Sequence, residues 1–336
     1  MISKFLKAPR FWSEKDSTLA RYLKPVSDVY TAVASMRLNS VKPERLQIPV
    51  ICVGNIVIGG SGKTPVVELV CNILKSNASK PHIISSGYGG YIKNVVMVDA
   101  TMHTHLQVGD EPMMLSTVAP TWIGQNKANA GKAAELAGAD VLVMDDGMQN
   151  NSLEKDLQVL VIDSLQWFGN EHVFPAGPLR ESIRSGLKKA DVVIIIGESD
   201  KALEETIWSN SPDVPVCHAK MHVKRHVNVP NNRVLGFCGL GYPSKFRNTL
   251  ISEGYDLVDF VSFPDHHRYT ISELQRLIST ARNVDASLIT TMKDYVKIPE
   301  VLRVNISILE ISLRIDDDSF AILLKSSLFG KRAVAA

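Results

Sequence analysis

Residues 48–68 read IPVICVGNIVIGGSGKTPVVE, and this stretch decides the fold. It begins as a short apolar run rich in β-branched residues, the pattern of a buried parallel strand. Glycines then cluster at Gly54, Gly59, Gly60 and Gly62, where neither a strand nor a helix interior tolerates them cheaply. Lys63, Thr64 and Pro65 follow, and the apolar positions Val66, Val67, Leu69, Val70 and Ile73 resume with helical spacing. Pro65 falls in the first turn of that helix, where a proline is tolerated. Strand, glycine loop, Lys-Thr and helix together make a phosphate-cradling loop.

Each residue type there has a chemical reason. Glycines let backbone N–H groups converge on a polyphosphate, and the helix N-terminus adds positive potential. Lys63 reaches outer phosphates, and the Thr64 hydroxyl suits the accompanying Mg²⁺. The candidate nucleotide-binding residues are Val57, Ile58, Gly59, Gly60, Ser61, Gly62, Lys63, Thr64 and Pro65. The strict G-x-x-x-x-G-K-[ST] pattern needs glycine at position 57, which here is Val57. A plain glycine-rich turn with an incidental lysine is the competing account, and the flanking strand and helix argue against it.

The 336 residues suffice for two domains, each with its own core. A net charge of only +2 does not favour a nucleic-acid-coating role. The charge is uneven, since residues 1–45 hold nine Lys/Arg against four acidic residues. Cys52, Cys71, Cys217 and Cys238 are scattered without a C-x-x-C pair, as expected of small buried residues in a reducing compartment. No cleavable leader is visible, and no apolar run approaches the ~18 residues of a bilayer span. The expected location is therefore the cytoplasmic side of a membrane.

Ahead of the loop, Phe11, Trp12, Leu19, Tyr22, Leu23, Val26, Val29, Tyr30 and Val33 alternate with basic residues at helical spacing, interrupted by Pro25. Such a basic, aromatic-bearing segment fits a membrane interface, and equally a helical arm packed on its own domain.

After the loop, apolar strand-like runs alternate with helical patterns, which implies a P-loop NTPase-like, doubly wound, mostly parallel α/β sheet with sites at the carboxyl ends of its strands. The run 141–144 leads directly into Asp145-Asp146-Gly147, either a turn or a pair of carboxylates placed to hold Mg²⁺. Asp110, in Gly109-Asp110-Glu111-Pro112, either caps a helix or orients an alcohol and accepts its proton. Arg180 ends a rigid proline-rich loop and suits an anionic group or a neighbouring ion pair.

In the distal third, Val216, His218, Lys220, His222, Lys224 and His226 alternate with Cys217, Ala219, Met221, Val223 and Val227. That period-2 pattern favours a solvated basic strand linking two domains over a helix with stacked metal-binding histidines. Beyond it, Asp265-His266-His267 follows a strand, as either a loop pair or a displayed imidazole titrating near neutrality. The expected division is an arm (1–45), a kinase core (46–212), linker strands (213–230) and a smaller C-terminal α/β domain (231–336).

Taken in order, VGNIVIGGSGKTP, SSGYGG, GDEP, DDGMQ, FPAGPLRE, PDHH and MKDYVK resemble the tetraacyldisaccharide 4′-kinases of lipid A synthesis over nearly the whole chain. The missing glycine at position 57 is missing in that family too. The resemblance implies an ATP- and Mg²⁺-dependent kinase on the cytoplasmic face of the bacterial inner membrane, touching the membrane through its arm. Its acceptor would be an acylated glucosamine disaccharide 1-phosphate lipid, phosphorylated at the 4′-hydroxyl to give lipid IVA. No nucleic-acid or obligate protein partner is implied. Asp110 would deprotonate or orient the hydroxyl, and His266 would hold or relay its proton. Thr64, Asp145 and Asp146 would serve the metal, and Asn55, Gln149, Arg180, Glu181 and Lys293 are candidates for substrate contacts. Ser86, Asn150 and Met292 depart from the family pattern, which usually has arginine, histidine and glutamate there. The rival hypothesis is a nucleotide-switched, partner-binding ATPase of the deviant P-loop class, which needs no alcohol-activating pair.

Overall fold

A computed structural model describes residues 9–224, 227 and 229–329. Arg225 and His226, part of the alternating basic segment, lie outside the described residues.

Eight strands precede residue 225: β1 (Val50–Gly54), β2 (Pro81–Ser85), β3 (Val96–Met97), β4 (Thr121–Ile123), β5 (Val141–Asp145), β6 (Leu157–Asp163), β7 (Val192–Ile196) and β8 (Val216–Val223). Five follow: β9 (Arg233–Cys238), β10 (Asp256–Ser262), β11 (Ser287–Thr291), β12 (Ile306–Leu309) and β13 (Ile311–Ile315). They form a nine-stranded sheet in the order β13-β8-β7-β6-β1-β5-β2-β4-β3 and a four-stranded sheet in the order β10-β9-β11-β12. The small sheet is wholly parallel, and in the large one only the edge strands β3 and β13 run antiparallel.

All five residues of β1 are buried, because it lies mid-sheet between β5 and β6 with helices on both faces. Ile51 and Val53 join the core under the helix Lys63–Ser76, which contributes Val66, Val67, Val70, Cys71 and Leu74. Val50 and Cys52 face the other core, with Ala128, Ala130 and Ala134 of the helix Lys127–Leu136. Each large aliphatic side chain so buried contributes roughly 1.5–3 kcal/mol before entropy is counted.

The chain crosses over between β1 and β5, so the carboxyl ends of both strands open onto one crevice. The phosphate-loop residues and Asp145-Asp146 therefore meet. The small sheet repeats the device: β10 lies on one side of β9 and β11 on the other, so the turns after β9 and β11 are neighbours.

Three placements differ from the sequence expectations. The helix Thr18–Ser40 runs unbroken through Pro25, which is exposed. β8 is a strand, as its period-2 pattern indicates, but it pairs with both β7 and β13 and belongs to the large sheet rather than to a linker. The chain also turns back at Glu310, so β13 and the helix Ser319–Phe329 join the large sheet and its core, not the unit built on β9–β12.

Candidate active site

Asn55 follows β1 and organises the glycine loop. Its buried amide Nδ2 donates to the Val57 carbonyl at 2.7 Å and to Ser61 Oγ at 2.7 Å, while Oδ1 accepts from Lys63 Nζ at 3.2 Å. The loop is pinned from outside, where Ile58 N–H donates to the Pro178 carbonyl at 2.8 Å. Gly62 has φ +79°, and a Cβ there would meet Ile196 Cδ1 at 2.5 Å, so no other residue fits without strain. Gly59, at φ +121°, and Gly60 have open space on the side where a Cβ would stand. That is the cradle a polyphosphate requires. Val57 turns its side chain into the core, and Ile58 is partly exposed, so these two offer backbone only.

Asp145 and Asp146 end β5 in different environments. Asp145 is buried and accepts a hydrogen bond from Ser85 Oγ at 3.0 Å. Burial, then Glu111 and Asp146, push its carboxyl up to about 7 against Lys127 and Lys63. Asp146, with φ +50°, turns out toward Lys63 and Arg180. Burial opposes its ionisation, but Lys63, Arg180 and Lys127 outweigh it and hold the carboxyl below its ordinary value. Arg180 Nη1 lies 2.9 and 3.0 Å from the two Asp146 oxygens, and Lys63 Nζ lies 3.8 Å from Oδ2. Of the two accounts of Arg180, the ion pair is the one observed.

Gln149 and Glu181 buttress this corner. Gln149 Nε2 donates to the Asn55 carbonyl and to Glu181 Oε1, both at 3.0 Å, and Glu181 Oε2 accepts from Ser185 Oγ at 2.7 Å and Lys189 Nζ at 2.6 Å. Among the described residues no three His, Cys, Asp or Glu side chains cluster as a self-sufficient metal cage. The oxygen donors of Thr64, Asp145 and Asp146 suit Mg²⁺, a hard cation that keeps waters and phosphate oxygens in its shell.

Asp110 opens the short helix Asp110–Leu115, yet its N-cap is Gly109 and Asp110 makes no cap bond of the usual kind. Instead Oδ2 lies 2.8 Å from His266 Nδ1, which arrives from the turn after β10. Burial disfavours the Asp110 anion, but the His266 hydrogen bond and charge, with Lys293 and Lys297, bring its carboxyl down to about 2. His266 has φ +58° and packs edge-on against Tyr88 at 5.7 Å. Burial lowers its affinity for a proton, and Asp110 and Asp265 overcome both that and Lys293 to leave it raised.

The two halves of the site share an electrostatic link. The helix Asp110–Leu115 packs against both the helix Lys63–Ser76 and the short helix Met292–Tyr295, and its Glu111 raises the proton affinity of both Asp145 and Lys293. Lys293 Nζ is 3.2 Å from Asp265 Oδ1 and 3.4 Å from His266 Nε2, which sets it against the dyad.

Sequence reasoning assigned no particular role to several residues. Lys127 is buried and donates to the Asp145 carbonyl at 2.7 Å and the Asp146 carbonyl at 3.2 Å. Asp294 accepts from Gly239 N–H at 3.1 Å, Tyr269 hydroxyl at 2.8 Å and Thr291 hydroxyl at 2.8 Å. Lys297 Nζ stands 2.7 Å from Asp294 as an ion contact out of hydrogen-bond alignment. The available signal was charge inside otherwise apolar helical patterns, at Lys127 and Lys297. Of the three departures, Ser86 is exposed, Asn150 closes a local turn by accepting from Ser152, and nothing in the structure explains Met292.

A model of the tetraacyldisaccharide-1-P 4′-kinase family matches residues 19–328. The chain belongs to that family. A tetraacyldisaccharide 4′-kinase of Rhodospirillum centenum is 39% identical over 340 residues, covering 97% of this chain and 98% of the relative. One from Rhodospirillum rubrum is also 39% identical, covering 97% and 99%. Among solved structures, LpxK from Aquifex aeolicus, determined in complex with ATP, aligns with a TM-score of 0.74 at 24% identity, over 93% of this chain and 100% of that one. At that identity the match establishes the fold of the 4′-kinase family member described here, a P-loop NTPase-like α/β architecture.

Proposed function

We propose that this protein transfers the γ-phosphoryl group of ATP to the 4′-hydroxyl of tetraacyldisaccharide 1-phosphate, making lipid IVA in lipid A synthesis. The observation that carries the reading is the Asp110–His266 pair, two side chains 156 residues apart joined at 2.8 Å. A nucleotide-switched ATPase has no use for such a pair, because water or a partner replaces the alcohol.

The loop amides around Gly59 and Gly60, with Lys63, hold the donor phosphates. Thr64, Asp145 and Asp146 would hold Mg²⁺, which when bound supplies neutralisation of charge on the transferring group. Lys63 and Arg180 fix Asp146, and Ser85 fixes Asp145, so these carboxylates are pre-set before the nucleotide arrives. Asp110, anionic across the physiological range, takes the hydroxyl proton as the acceptor oxygen attacks. His266 holds Asp110 in place.

The arm supports a lipid substrate. On the helix Thr18–Ser40, Tyr22 is 83% exposed and Met36 70% exposed, and Val26, Val29 and Val33 are exposed as well. Lys24 and Arg37 lie on the same helix. Apolar side chains edged by cations fit the headgroup boundary of an anionic leaflet, which supports peripheral attachment at the cytoplasmic face. No helix among the described residues is long and apolar enough to cross a membrane. The test is phosphate transfer from labelled ATP to the acceptor lipid, with the product analysed for the position phosphorylated. Hydrolysis without a lipid product would overturn the reading.

A further inference from the structure

His266 is surrounded by charge from every element packed on it. Asp110 faces it from the helix Asp110–Leu115, Lys293 from the short helix Met292–Tyr295, Asp265 from its own turn, and the Tyr88 ring from the loop after β2. Lys293 Nζ spans two of these groups, 3.2 Å from Asp265 Oδ1 and 3.4 Å from His266 Nε2. It is not a loosely placed surface lysine. The side chain next to it in sequence, Asp294, is fully buried and ties its helix to Gly239 after β9 and to Tyr269 of the turn that carries His266. Thr291 caps the same helix, accepting from Asp294 N–H at 3.3 Å. Lys293 is therefore held against the imidazole by a braced framework.

An ammonium group only donates hydrogen bonds. When the ring is neutral, the nitrogen that Lys293 faces, Nε2 at 3.4 Å, offers its lone pair, and the ring proton sits on Nδ1, donated to Asp110 Oδ2. We infer that Lys293 is a positioning residue that selects the Nδ1–H tautomer of His266 whenever the ring is neutral, leaving Asp110 as the group that takes the hydroxyl proton. This rests on the kinase reading, and it turns the question of whether His266 holds or relays the proton into an answer: it holds. Lys293 remains charged in this position. Burial works against the ammonium, but Asp265, Glu111 and Asp110 outweigh it and raise its affinity for the proton.

The test uses the full-length chain labelled with ¹⁵N-histidine, comparing wild type, Lys293→Met and Lys293→Arg by long-range ¹H–¹⁵N correlation across a pH series. Above its titration midpoint, wild-type His266 should show the Nδ1–H tautomer. Loss of the adjacent like charge in Lys293→Met should raise the midpoint by about one unit, as removing a charge within contact distance does. Lys293→Arg should restore the wild-type midpoint. The acid limb of kcat at saturating ATP should move with it, while the Kd for ATP stays put, which a merely structural role would not produce. A wild-type Nε2–H tautomer overturns the assignment even if the variants fail to fold, and so does an unmoved midpoint in folded Lys293→Met. Absence of lipid phosphorylation by the wild type would overturn the kinase reading, whereas the tautomer and midpoint decide the Lys293 assignment separately.

Discussion

Asp110 Oδ2 and His266 Nδ1 stand 2.8 Å apart, joining the large sheet's helix Asp110–Leu115 to the turn after the last residue of β10. The carboxylate serves both sides at once: Oδ1 accepts from Glu111 N–H at 3.1 Å within its own helix, and Oδ2 reaches across to the imidazole.

The same contact has a pH signature. Asp110 is held at about 2 in the fold, below an ordinary value of 3.8, despite burial. A carboxylate depressed in this way adds stability above its unfolded value and loses it as pH falls through the folded one. Wild type should therefore lose stability between about pH 4 and pH 2 in part through this group. Asp110→Asn should be less stable at pH 6 and less acid-sensitive below pH 4. Urea unfolding at pH 6 and pH 3 measures both, and equal losses in the two proteins would contradict the pairing.

Lys63 reaches Asn55 and Asp146 from the first turn of its helix. On the proposed reading its ammonium is a fixed charge for the donor phosphates, and removing one such group typically costs about 10²–10³ in rate. Lys63→Met should lose roughly that factor in kcat and weaken ATP binding, measured by turnover and by nucleotide titration. Undiminished turnover would remove the lysine from the account.

Gly62 is the backbone position the loop cannot spare. Its φ of +79° and the Ile196 methyl 2.5 Å from a would-be Cβ act together. Gly62→Ala should destabilise by about 2 kcal/mol, combining left-handed strain with a packing conflict. Pairing it with Ile196→Ala should relieve the steric part and leave the strain. An unchanged urea midpoint in the single variant would show the loop to be more compliant than its geometry indicates.

The sequence was most informative where the physics is local. The glycine loop, the helix after it and the carboxylates closing β5 were legible because strand periodicity, glycine punctuation and a Lys-Thr pair lie within a few residues of one another. What it could not supply were pairings across the chain. Asp110 and His266 were each ambiguous alone, and Lys293 looked like a substrate contact until the fold set it against Nε2. The return of β13 was hidden because only Glu310 separates it from β12, and ISLRI alternates like any other strand. Pro25 misled for the opposite reason: the rule that proline breaks helix interiors yields on this exposed arm.

The arm yields a further expectation. Tyr22, Val29 and Met36 are exposed apolar residues on a helix that also carries basic side chains. Replacing all three with aspartate should weaken sedimentation with phosphatidylglycerol-containing vesicles, raise KM for the lipid acceptor and leave the Kd for ATP unchanged. Equal sedimentation of variant and wild type would assign this surface another use.

The central claim is that the glycine loop and the Asp110–His266 pair form the donor and acceptor halves of one kinase site. Phosphate transfer from γ-³²P-ATP to tetraacyldisaccharide 1-phosphate, compared in wild type and Asp110→Asn, tests it most directly. The account predicts a 4′-phosphorylated lipid from wild type and at least about a hundredfold slower transfer by the variant, at similar ATP affinity. Label released only as inorganic phosphate, or equal transfer by the two proteins, would contradict it.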